Sequence, residues 1–238
     1  MNPVLERILQ TGLADGESAE FPLHSHMSRE EGRLIDRVFR TVTPDVSLEI
    51  GCAYGVSTLY VCDALAANGK PARHIVIDPF QRQHWRGMGL ANIARAGYEN
   101  LVEFVHEGSE TALPALLAAG RRVQAAIIDG NHRFDHALVD FFYVNRMLDV
   151  GGIVILDDTD HPSVSRLVDH ISTYPAYDVF AVTPSPPARE GRLRAKLRRA
   201  LARRTRSPKL RRKSDFPTCV AFRKTAEDNR RWDWHVDF

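Results

Sequence analysis

Apolar positions in this chain fall into short runs closed by glycine or aspartate, and the stretches between the runs repeat at helical spacing. "VSLEIG", "HIVIDP", "LVEFVHEG", "VQAAIIDG" and "GGIVILDD" read as five buried strands. "VSTLYVCDALAANG", "QHWRGMGLANIARAG", "SETALPALLAAG", "FDHALVDFFYVNRML" and "SVSRLVDHIST" read as the helices that follow them in turn. Strands of this kind, alternating with helix-period segments, predict parallel pairing through crossover helices. The expected fold is a Rossmann-like, doubly wound, mostly parallel α/β sheet. Two late runs, "YDVFAVTP" and "PTCVAFRKT", have no packed helix between them. They predict an antiparallel pair at one edge and bring the sheet to seven strands. Near the other end, "SREEGRLIDRVFRTV" has Ser28 with Glu31 three residues on, a capping box opening a helix.

Charge changes this picture at one place. The net charge is +2, but residues 189–213 hold 13 of the 32 basic residues and one of the 30 acidic ones, which leaves 19 basic against 29 acidic elsewhere. An acidic body therefore carries a basic segment. The expected organisation is a helical cap over 1–40, a core over 41–188 and 214–226, a basic insertion over 189–213 between the last two strands, and a tail over 227–238. Within the insertion Leu193, Leu197 and Leu201 recur every four residues amid arginine and lysine. Such a helix suits an anionic membrane surface; a solvated loop and docking on the acidic body are the other two readings. The segment has no interleaved aromatics for base stacking, which argues against nucleic acid as a partner. Cys52, Cys62 and Cys219 have no zinc-type spacing, no apolar run reaches membrane-spanning length, and the first residues lack a signal-peptide core. A cytoplasmic protein, peripheral at the membrane if the insertion binds lipid, is the expectation, and a homo-oligomer stays open.

Candidate chemistry gathers at the carboxyl ends of the predicted strands, where open α/β sheets bind ligands. "EIGCAYGVS" follows the first strand, and Gly51 and Gly55 let backbone approach a ligand or simply turn tightly. Asp78 ends the second strand, placed to accept hydrogen bonds from ribose hydroxyls, and "EGSE" ends the third. These segments resemble the class I S-adenosylmethionine-dependent methyltransferases, and more narrowly the metal-dependent O-methyltransferases of the catechol type and the bacterial enzymes acting on sugars and antibiotics. The resemblance covers roughly residues 28–183. It implies that Gly51, Ala53 and Gly55 line the methionine part of the cofactor, that Ser57 binds its carboxylate, that Asp78 holds the ribose and that Ser109 lies at the adenine. Glu49 and Asp129 complete the implied cofactor-binding set. Ala53 stands where many members of the wider family have glycine.

Methyl transfer to a hydroxyl needs an oriented, preferably deprotonated oxygen. A divalent cation lowers the hydroxyl pKa, and oxygen ligands in an open site suit Mg²⁺. Asp129 closes "AAIIDGNH", and Asp157 and Asp158 close "VILDDTDH". Adjacent strand ends would bring these three to one edge as metal ligands, although Asp158 also fits a helix-capping role. The resembled branch has asparagine at that third position. His132, three residues after Asp129, matches the place of that branch's lysine base, and an imidazole takes up a proton near neutral pH. The expected protein is an S-adenosylmethionine-dependent O-methyltransferase, Mg²⁺-dependent, acting on a hydroxyl of a small molecule or sugar. The alternatives are a metal-independent methyltransferase using His132 alone, and a nucleic-acid-binding protein built around the basic insertion.

Overall fold

The computed structural model describes residues 1–15, 20–183 and 217–238. A seven-stranded sheet runs in the order β5(Val102–Val105), β4(Arg73–Ile77), β3(Val46–Ile50), β6(Val123–Ile128), β7(Leu148–Leu156), β9(Cys219–Lys224), β8(Tyr177–Thr183). The first five are parallel, and β9 lies antiparallel between β7 and β8. This is the doubly wound sheet with an antiparallel edge pair that the sequence pattern predicts.

Alternation along the strands divides the core between two faces. Leu48, Ile50, Ile75, Ile77, Val154 and Leu156 pack with α5(Ser109–Ala118), α6(Phe134–Met147) and α7(Pro162–Ile171). Ala125, Ile127, Ile153 and Ile155 pack on the other side with α1(Pro3–Thr11), α2(Arg29–Val42), α3(Val56–Ala67) and the start of α4(Met88–Arg95). Helix α3 is buried around most of its circumference, as its near-continuous apolar sequence requires. The capping box of α2 is formed as predicted, with Ser28 Oγ accepting from the Glu31 N–H and Glu31 Oε2 accepting from the Ser28 N–H.

Two local expectations change. The N-terminal segment contains a short antiparallel hairpin, β1(Leu13–Asp15) with β2(Glu20–Pro22), whose three-residue strands are too short to show alternation in sequence. The second crossover helix starts at Met88 instead of Gln83, because Arg86 and Gly87 take left-handed backbone (φ 51° and 69°) and the preceding residues form turns closed on the Phe80 carbonyl. The tail packs on the body: Arg230 lies over the Tyr174 ring at 3.3 Å and Phe238 meets His170 at 4.3 Å. Among the described residues no helix is long and apolar enough to cross a membrane. The basic stretch 189–213, and the membrane-surface reading attached to it, lie outside the described residues.

Candidate active site

The sheet order reverses between β3 and β6, and the turn after β3 lies at this switch point. Its residues have backbone that few side chains tolerate: Gly51 at φ 94°, Ala53 at 46° and Gly55 at 78°. At Gly51 the reason is the neighbouring strand end. A Cβ there would stand 2.1 Å from the Asp129 carbonyl oxygen. At Gly55 a Cβ would stand 3.0 Å from the Gly89 carbonyl oxygen. The turn is thus packed against β6 on one side and α4 on the other, and its glycines are needed for protein contacts before any ligand arrives.

Side chains following β4 hold the turn in place. Asp78 Oδ2 accepts from the N–H groups of Cys52 (3.1 Å) and Ala53 (3.0 Å). Its Oδ1 accepts from the Phe80 N–H at 2.7 Å. Gln81 Nε2 donates to the Ala53 carbonyl (2.7 Å), and Asn92 Nδ2 to that of Tyr54 (3.0 Å). Asp78 therefore anchors the loop, a role its position in the sequence did not reveal. Among the described residues no side chain caps the amino end of α3, where Val56 and Ser57 line the adjoining cavity.

Glu49 lies beneath this turn, fully buried and away from the cavity wall. Its carboxylate accepts from Ser57 Oγ and from Thr58 Oγ1 (2.7 Å), and pairs with His74 Nε2 at 2.8 Å. Ser47 Oγ bonds His74 Nδ1 at 2.9 Å, so the polar residues of β3 and β4 on this face satisfy one another. Glu49 thus sits behind the turn, with its carboxylate engaged by Ser57, Thr58 and His74.

A cavity of about 500 Å³ opens above the turn. Its walls include Leu23 to Ser28, Cys52 to Tyr54, Asp129, Asp157, Asp158, Asp160 and Thr218. His24 stacks on Trp85 at 5.6 Å, and both meet Tyr54 edge-on, so three rings from three segments stand together on one side. Glu31, already committed to the capping box, also reaches the wall, as does Thr218 from the segment leading into β9. Neither was legible as a site residue.

Asp129, Asp157 and Asp158 converge as predicted from their strand ends. Each offers a carboxylate oxygen, and those oxygens lie within 4.8 Å of one another. Burial raises the Asp157 carboxyl well above the usual carboxylate range, and Asp129, Glu31 and Asp158 push it further. Burial also raises Asp129, with Asp158 next in effect; the 24% of its side chain that stays exposed moderates the burial part. Asp157 Oδ1 is sealed from solvent and has no hydrogen-bond partner among the described residues. Three converging carboxylates and an orphaned buried oxygen fit a hard divalent cation. Asp158 has left-handed backbone (φ 51°), a strained conformation for this residue. His132 is 33% exposed, outside the cavity lining, with Nε2 at 3.4 Å from Asp129 Oδ1 and 3.3 Å from Asp158 Oδ2. Ser109 opens α5 and bonds the buried Asp140 of α6, apart from this cavity.

Residues 48–159 match the model of a family described as a methyltransferase domain. A caffeoyl-CoA O-methyltransferase from Stellaria longipes is 31% identical over 137 residues, covering 54% of this chain and 52% of that enzyme. The chain thus spans about half the length of this curated relative. An O-methyltransferase from Bacillus cereus solved with SAH superposes with a TM-score of 0.62 at 18% identity, covering 75% of this chain and 83% of that one. An O-methyltransferase of tomaymycin synthesis from Streptomyces achromogenes, solved with SAM, does so at 0.58 and 18%, covering 95% and 91%. At these identities the structural likeness establishes the fold. Residues 48–159 thus resemble a methyltransferase domain, and the chain shares its fold with these O-methyltransferase structures.

Proposed function

We propose that the protein is an S-adenosylmethionine-dependent O-methyltransferase that uses a divalent cation, Mg²⁺ in the first instance, to present a hydroxyl of a small molecule such as a phenol or sugar. The observation that carries the metal reading is the buried Oδ1 of Asp157, unpartnered among the described residues, beside Asp129, Asp158 and the glycine turn. When bound, the cation would be held by these three carboxylates and would lower the pKa of the acceptor hydroxyl.

The chain's own residues do the rest. The free N–H groups at the uncapped amino end of α3, that of Ser57 among them, receive the methionine carboxylate of the cofactor. Asp78 Oδ1, with one hydrogen bond already accepted, has acceptor capacity left for a ribose hydroxyl. Ser109, hydrogen-bonded to Asp140 and apart from the cavity, is the candidate contact for the adenine. His132 Nε2, beside Asp129 and Asp158, takes the proton from the acceptor. The rings of His24, Tyr54 and Trp85 shield the acceptor from water. The division into cap, core, insertion and tail belongs to the same reading.

Titration calorimetry tests the metal ligands without knowledge of the acceptor. Mg²⁺ should bind once to the wild-type protein in the presence of S-adenosylhomocysteine, and Asp157→Asn should lose that binding while keeping the nucleoside. Turnover on a panel of phenols and sugars should cease in EDTA and return with Mg²⁺. Full turnover in EDTA would favour the metal-independent enzyme. His132→Ala should slow turnover with cofactor affinity unchanged; normal turnover would remove it as the base.

A further inference from the structure

Beside the three carboxylates lies a second constellation of different chemistry. His132, Asp158 and His161 each offer a ligand atom, and these atoms also lie within 4.8 Å of one another. His132 Nε2 stands 3.3 Å from Asp158 Oδ2, and the two imidazoles meet edge-on with centroids 5.3 Å apart. In a tetrahedral zinc site with bonds near 2.0–2.1 Å, neighbouring ligand atoms stand about 3.3–3.4 Å apart. The His132–Asp158 pair already has that spacing. All three side chains are partly exposed, so an ion has a path in.

The two loops that supply these residues are tied together by bonds unrelated to any ion. Ser163 Oγ, in the first turn of α7, donates to the His132 carbonyl. The His161 N–H donates to the Asp158 carbonyl at 2.9 Å, across the turn that the left-handed Asp158 begins. The cross-tie and the turn hold both histidines near one carboxylate.

We infer that His132, Asp158 and His161 form a second cation site, selective for Zn²⁺ and similar imidazole-binding divalent ions, adjoining the all-carboxylate site and sharing Asp158 with it. Two nitrogen donors and one carboxylate suit zinc, copper, iron or nickel, whereas carboxylates alone suit magnesium. A carboxylate has two oxygens with lone pairs and can serve an ion on each side. The ligand set needs nothing from the proposed function. Its consequence does rest on that reading: an ion here engages the His132 nitrogen that would take the acceptor's proton, so Zn²⁺ inhibits methyl transfer in competition with nothing the acceptor brings.

Co²⁺, a visible stand-in for Zn²⁺, tests the site on the metal-stripped full chain in saturating Mg²⁺. A d–d absorption band should appear with one equivalent of Co²⁺ and vanish on adding Zn²⁺. His161→Ala and His161→Gln should each weaken Co²⁺ binding by more than about 100-fold, beyond the effect of altering a mere supporting residue. Both should keep the calorimetric Mg²⁺ site. Asp157→Asn should lose Mg²⁺ and keep the Co²⁺ band, so failure of the carboxylate site and failure of this one are separately visible. Absence of a Zn²⁺-displaceable band in wild type, or wild-type Co²⁺ affinity in either folded His161 variant, overturns the inference.

Discussion

Replacing Asp140 by asparagine should stabilise the protein, and more so as the pH rises. Asp140 sits on the inner face of α6, 2% exposed, and burial lifts its carboxyl from an ordinary 3.8 to about 6 despite the hydrogen bond from Ser109 and the nearby His136. Between those two values the folded protein holds a proton that the unfolded chain has released. Stability therefore falls as pH rises through this window and levels off above it. A shift of about two units corresponds to about 3 kcal/mol of lost stability at pH 8, and about half of that loss is already present at pH 5. Asparagine carries no charge to bury, and its amide oxygen can still accept from Ser109. Urea denaturation of wild type and Asp140→Asn should show the variant ahead by about 1.5 kcal/mol at pH 5 and about 3 kcal/mol at pH 8. A variant advantage that is independent of pH, or a variant less stable at pH 8, would refute the reasoning.

Gly51→Ala should cost about 3 kcal/mol, since the new methyl overlaps the Asp129 carbonyl and forces alanine into left-handed backbone; chemical denaturation within about 0.5 kcal/mol of wild type would contradict the packing argument. Glu49→Ala should cost about 3 kcal/mol or more, because Ser57, Thr58 and His74 lose a buried common acceptor. The same denaturation assay checks it, and a near-neutral result would mean that the network contributes little.

The fold was legible because each strand is a short apolar run closed by glycine or aspartate and each crossover helix keeps its period. The meeting of Asp129 with Asp157 and Asp158 followed from parallel strands ending at one edge. What stayed hidden depends on contacts between segments distant in sequence. Asp78 reads as a ligand-facing acid, yet its carboxylate is taken up by the turn after β3, 25 and 26 residues earlier. Glu49 reads as part of a cofactor motif, but only the pairing of β3 with β4 shows that His74 lies beside it. The capping box identified Glu31 as a helix start and said nothing of the cavity it also reaches. The nearness of His161 to His132 depends on how two loops cross.

On the proposed function, cofactor and divalent cation sit together at the carboxyl edge of β3, β6 and β7. A crystal structure with S-adenosylhomocysteine and Mn²⁺, with anomalous differences measured at the manganese edge, tests it most directly. An anomalous peak should appear within coordination distance of Asp129, Asp157 and Asp158, with the nucleoside lying across the turn from Gly51 to Gly55. A peak elsewhere, no peak at saturating Mn²⁺, or a nucleoside away from that turn would contradict it.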